Sequence, residues 1–135
     1  MQLLYVANRY ERKEEILRWL ERGLVLVCDR YSASSVAYGE AQQVDPAWLV
    51  EIQKYLPPPD LTILLDIEPE RAAGRKIADR DRYERDLAML GRVRASYLRQ
   101  SRDGWLVLDA SGDRSAIAAQ ISEAVEARLA PASAP

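Results

Sequence analysis

The sequence predicts an α/β fold: a parallel sheet covered by helices on both faces, in three layers. Three observations predict it. Short apolar runs over 24–28, 61–66 and 105–109 read as strands buried on both faces, as parallel strands are. Helical patterns separate those runs, and strands alternating with helices give a layered α/β architecture. Each run ends in a carboxylate (Asp29, Asp66 or Asp109), at the edge beyond which open α/β sheets bind ligands. Three strands is a small number for such a sheet.

Residues 2–22 favour helix, with Leu3, Leu4, Ala7, Ile16, Leu17 and Leu20 forming an apolar face and Gly23 placed to end it. The strand at 24–28 follows with almost no linker, and Cys28 inside it reads as a small buried hydrophobe. Asp29, Arg30 and Tyr31 come next. They read either as a functional strand end or as an ion pair that only serves a helix cap. A short helix is expected from Ser32 to about Glu40, its N-terminus offering free N–H groups to an anion. Asp45 caps a helix with Pro46 in its first turn, running to about Tyr55, and Pro57, Pro58 and Pro59 cannot continue it.

After the second strand, Pro69 starts a helix carrying Arg71, Ala72, Ala73 and Arg75. From 76 to 85 nearly every residue is charged, which by itself reads as a solvated loop. Leu87, Leu90, Val93, Arg94, Tyr97 and Leu98 mark an amphipathic helix, and Asp103-Gly104 turns the chain into the third strand. The loop 110–113 leads to a last helix in which Ile117, Ile121, Val125 and Leu129 recur every four residues. Residues 1–129 read as one domain and 130–135 as a flexible tail.

At 135 residues the chain is long enough for one core, and a net charge of −2 gives no global pull toward nucleic acid or an anionic membrane. No run is long enough to span a membrane and no signal peptide opens the chain, so a cytoplasmic protein is expected. The absence of histidine excludes Ser-His-Asp and Cys-His nucleophile systems and the common zinc sites. Carboxylate, guanidinium, phenol and hydroxyl remain, a set suited to phosphoryl transfer, where positioning and charge stabilisation dominate.

Specific residues narrow this further. Leu3-Leu4-Tyr5-Val6-Ala7-Asn8-Arg9-Tyr10-Glu11, then Asp29-Arg30-Tyr31 with Ser35 and Tyr38, are in the order and spacing of one family. So are Pro59-Asp60-Leu61 running into Leu65-Asp66, then Arg75, Arg82-Tyr83-Glu84 and Leu108-Asp109-Ala110-Ser111. Across essentially its whole length the chain resembles thymidylate (dTMP) kinases, closer to the eukaryotic and archaeal forms than to the common bacterial ones. The resemblance implies a P-loop NTPase-like sheet, phosphorylation of dTMP by ATP with Mg²⁺, and a homodimer.

The resemblance also implies roles. Tyr5 would stack on thymine, although unaided it reads as a helix core residue. Arg9 would hydrogen-bond the base, although unaided it reads as a surface charge. Arg30 would clamp the acceptor phosphate with its guanidinium fork, and Asp29 would stand beside Mg²⁺ and the phosphates or hold Arg30. Ser35 would face the base, or else pack or cap its helix. Tyr38 would lie under the deoxyribose, a core tyrosine being the alternative. Arg75 would be the lid arginine against the donor, with Arg80 assisting and Arg82, Tyr83 and Glu84 closing the lid's end. Tyr83 would sit near the acceptor sugar and Glu84 near metal or water. Ala110 and Ser111 would border adenine, or form an ordinary strand-to-helix turn.

One family feature does not occur in the sequence: Gly-x-x-x-x-Gly-Lys-Ser/Thr, whose backbone cradles the donor phosphates. Family members carry it on a first strand that precedes the region matching Met1. The expectation is therefore a C-terminal portion holding the acceptor site, the lid and the adenine-side loop, with strand edges left unpaired. A non-catalytic nucleotide-binding or interaction module derived from such a kinase is the alternative.

Overall fold

The computed structural model describes residues 2–73 and 80–130, apart from the side chains of residues 73, 80–86 and 103. The chain forms α1 (Gln2–Glu21), α2 (Ser32–Ala41), α3 (Pro46–Glu51), β1 (Ile63–Asp66), α4 (Pro69–Ala73), α5 (Arg80–Gln100), β2 (Leu106–Asp109) and α6 (Arg114–Leu129). Of the tail expected over 130–135, residues 131–135 lie outside the described residues.

Local chemistry sets the helix ends. Gly23, at φ +75°, closes α1 with the Gly23 N–H on the Leu20 carbonyl (2.9 Å) and the Leu24 N–H on that of Trp19 (3.1 Å). This is the paired bonding of a Schellman motif, which needs a left-handed residue at that point. Asp45 caps α3 by accepting from the Ala47 N–H at 2.9 Å, and Asp113 caps α6 from the Ala116 N–H at 3.0 Å.

The core sits around α2, which packs on α5, α3 and α1. Ala37 and Ala41 present small faces on which Val93 of α5 and the part-buried Tyr38, Met89 and Tyr97 close. On another face, a Cβ at Gly39 would run into the fully buried side chain of Leu49 in α3. Polar contacts fix the α2–α5 register: the Ser34 and Tyr97 hydroxyls meet at 2.5 Å, the Gln100 amide donates to the Ala33 carbonyl, and Glu40 pairs with Arg99.

β1 and β2 pair in parallel, with Ile63 opposite Leu106 and Asp66 opposite Asp109. Arg94 of α5 locks the end of β1. Its Nε and Nη2 donate to the two Asp66 oxygens at 2.7 and 2.8 Å, and its Nη1 lies 2.8 Å from Glu68. The bonds to Arg94 hold the Asp66 carboxyl below its usual range, even though partial desolvation acts the other way.

Several expectations are corrected. The run 24–28 is not a strand: no ladder forms there among the described residues, Val27 is 93% exposed, and Cys28 is exposed rather than buried. A strand exists only through a neighbour, and the described sheet has two strands, β1 and β2, with none beside 24–28. The three-layer sheet is accordingly not seen. For the same reason the apolar face expected on α1 is largely uncovered, Leu3 and Leu4 being exposed and Val6 alone buried, while α6 buries no residue fully. α3 ends at Glu51, and turns carry the chain on to Tyr55. The charged stretch is helical from Arg80 onward, its arginines and Glu84 being good helix formers.

Candidate functional site

Tyr5, Asn8, Arg9, Arg12 and Ile16 are spaced three or four apart and so share one face of α1. That face meets Cys28, Asp29, Arg30 and Tyr31 across a cleft of about 340 Å³. Tyr5 stands half-exposed at this wall, its ring free to stack on a flat ligand.

Arg9 reaches through the wall into the protein. Its Nη1 donates to Ser35 Oγ at 2.8 Å and to Gln53 Oε1 at 3.3 Å, and its Nη2 donates to the Tyr31 carbonyl at 2.8 Å. The guanidinium also lies 5.6 Å from the centre of the Tyr31 ring. Burial pulls the Arg9 pKa below the ordinary guanidinium value, against the opposing influence of Tyr31, Cys28 and Tyr97. Every acceptor is uncharged, so Arg9 keeps its positive charge without a carboxylate partner among the described residues.

Arg30 sits in the bend that turns the chain into α2, at φ +63°, a left-handed conformation unusual for a side chain of this size. Its Nη2 donates to the Tyr38 hydroxyl at 2.9 Å, and its guanidinium stands 4.8 Å from the centre of that ring. Desolvation pulls Arg30 down, yet the bond to Tyr38 and the nearby Tyr97 and Asp29 outweigh it, and its pKa lies above the ordinary value. Arg12 is already paired with Glu15 at 2.8 Å. The cleft therefore offers two guanidiniums, Arg9 and Arg30, against one carboxylate, Asp29, and it suits an anion bearing further oxygen acceptors.

Tyr5, Arg9, Asp29 and Arg30 thus line one cleft. Ser35 and Tyr38 stand behind it: Ser35 is 1% exposed with its hydroxyl on Arg9, and Tyr38 touches Arg30 while packing on the core. Ala110 and Ser111 are elsewhere, at the end of β2. There the Ala110 N–H donates to the Asp66 carbonyl and the Ser111 N–H to Asp109 Oδ1, both at 2.8 Å. Arg75 lies outside the described residues, and Arg80, Arg82, Tyr83 and Glu84 are described only as backbone at the start of α5. A hollow of about 380 Å³ beside Ala41, Gln42, Gln43 and Arg92 contains none of these residues.

The sequence reading overlooked Gln53, the Tyr31 carbonyl and the cleft walls Asn8 and Ile16. Helical spacing from Tyr5 would have found Asn8 and Ile16. Gln53 and the Tyr31 carbonyl carry no signal in the sequence.

The model of the thymidylate kinase family matches residues 1–121. The chain belongs to the thymidylate kinase family. It is 43% identical to a probable thymidylate kinase of Staphylothermus marinus over 110 residues, covering 78% of this chain and 55% of that protein. Against a probable thymidylate kinase of Pyrobaculum calidifontis it is 36% identical over 132 residues, 95% of this chain and 68% of that one. Against the thymidylate kinase of Dictyostelium discoideum it is 34% identical over 123 residues, 90% of this chain and 55% of that one. The chain spans about half to two thirds of the length of the curated relatives it matches.

The thymidylate kinase family has the P-loop NTPase fold class, and its members use ATP as phosphate donor. Such chemistry commonly uses Mg²⁺, and the described residues contain no cluster of three acidic or thiol groups that would cage a metal ion. Mg²⁺ usually takes one or two protein carboxylates and completes its shell with water and substrate phosphates. Asp29, exposed at the cleft beside Arg30, fits that role as a single carboxylate. No helix among the described residues is long and apolar enough to cross a membrane.

Proposed function

We propose that this chain carries the acceptor site and lid of an ATP-dependent kinase that converts dTMP to dTDP. The supporting observation is the convergence of Tyr5, Arg9, Asp29 and Arg30 on one cleft whose guanidiniums outnumber its carboxylate. In this reading Tyr5 stacks on thymine and Arg9 donates to a base carbonyl. Ser35 faces the base side of the cleft through Arg9, whose Nη1 its hydroxyl accepts from. Arg30 holds the acceptor phosphate and neutralises charge as the phosphoryl group arrives, and Tyr38 braces Arg30 on the sugar side. Asp29, with Glu84 as a second carboxylate, would hold Mg²⁺, which when bound spreads the charge of the transferring phosphate.

Arg75, Arg80, Arg82 and Tyr83 form the closing lid in this proposal, and Ala110 and Ser111 border the adenine. These 135 residues contain no Gly-x-x-x-x-Gly-Lys-Ser/Thr, so the loop that cradles the donor phosphates comes from outside them. The proposal includes a cytoplasmic location and a homodimer, and sedimentation of the protein tests the dimer. Titration of dTMP, dUMP, dCMP and AMP into the protein tests the acceptor site, with dTMP expected to bind tightest. Equal affinity for all four, or none for dTMP, would overturn it.

A further inference from the structure

Gln53 is 6% exposed, and nothing in the proposed reaction uses it. It lies in the turn after α3. Its amide is held at both ends: Nε2 donates to the Leu49 carbonyl at 2.8 Å, which directs Oε1 toward Arg9. Arg9 spends both Nη1 hydrogens on Ser35 and Gln53 and one Nη2 hydrogen on the Tyr31 carbonyl. Its Nε–H and second Nη2–H have no acceptor among the described residues. A carboxylate in place of any of the three acceptors would tie up the charge of a half-buried guanidinium. Neutral acceptors fix the side chain and leave that charge available.

We infer that Gln53 is a positioning residue: it anchors the Arg9 guanidinium through an uncharged oxygen, so that Arg9 presents its charge and two remaining N–H groups to the carbonyl-bearing ring of the nucleotide. The choice of ligand rests on the dTMP reading; the anchoring of Arg9 does not.

Gln53→Glu and Gln53→Met test this with two measurements. The first is titration with dTMP and with 2-deoxyribose 5-phosphate, which keeps sugar and phosphate but has no base. Both variants are expected to weaken dTMP about tenfold through loss of the Arg9 hydrogen bond to the base, Gln53→Glu by engaging the guanidinium's charge and Gln53→Met by leaving it unanchored, with base-free affinity held within about twofold. The second is the Arg9 side-chain N–H signal in ¹⁵N spectra, assigned by its loss in Arg9→Lys. It should shift in Gln53→Glu and exchange faster with water in Gln53→Met. Unchanged dTMP affinity in both variants, or an equal loss for both ligands, overturns the inference, as does an unmoved Arg9 signal. If the unaltered chain fails to bind dTMP, the acceptor-site reading falls, and the Arg9 signal alone then decides the role of Gln53.

Discussion

Replacing Arg30 by glycine and by alanine separates two properties that the native residue combines. Both changes remove the guanidinium, its 2.9 Å bond to the Tyr38 hydroxyl and its approach to that ring. Those losses are common to the two variants and cancel in their comparison. What differs is the backbone: φ at this position is +63°, which glycine adopts freely and alanine does not. The left-handed penalty is about 1–2 kcal/mol, and the greater freedom of unfolded glycine returns part of it, so Arg30→Gly should be the more stable by about 1 kcal/mol. For a chain of this length that is roughly 4 °C in melting temperature. Binding should not follow stability. Each variant loses a charge-assisted contact worth about 1.5–3 kcal/mol, so both should bind dTMP about tenfold to a hundredfold more weakly. Thermal melts and calorimetric titrations of the two proteins side by side give both quantities. A glycine variant that melts below the alanine variant would refute the backbone reasoning, and native affinity in either would remove Arg30 from the phosphate site.

Gly39→Ala gains helix propensity of about 1 kcal/mol, but its new methyl meets the fully buried Leu49, and overpacking of about 1–3 kcal/mol should win, lowering the midpoint of a urea melt. The Asp66–Arg94 pair should contribute about 1–2 kcal/mol, both side chains keeping roughly a quarter of their surface in water. Because the folded Asp66 pKa is depressed, that contribution is complete above the unfolded value, near 4, and fades as pH falls through the lower folded value. The stability gap between the native chain and Asp66→Asn should therefore close only below about pH 4, and a gap constant down to pH 2 would contradict the pairing. Asp45→Ala should cost about 1 kcal/mol through loss of the α3 cap, read as an earlier thermal midpoint, while Asp45→Ser should recover most of it.

The sequence by itself determined whatever depends on near neighbours along the chain. Gly23 ends α1 because a glycine can take the left-handed angle there, and Asp45 and Asp113 begin helices because their carboxylates reach N–H groups two or three residues on. Helical spacing put Tyr5 and Arg9 on one face, and the parallel β1–β2 pairing follows from two apolar runs joined through helices. The family is likewise legible in short motifs spread along the chain. Only the tertiary structure decided the fate of 24–28: its apolar composition is that of a strand, but ladder bonds come from a partner, and no strand stands beside it among the described residues. Gln53 is the opposite case. Nothing about a glutamine in a polar turn distinguishes it, and its role arises from the close packing of α3 against α2, which brings it to Arg9 from 44 positions away. A residue's preference for helix or strand is local and is written in the sequence. Which acceptor meets which donor across such a distance depends on how the elements pack, and only the folded chain specifies that.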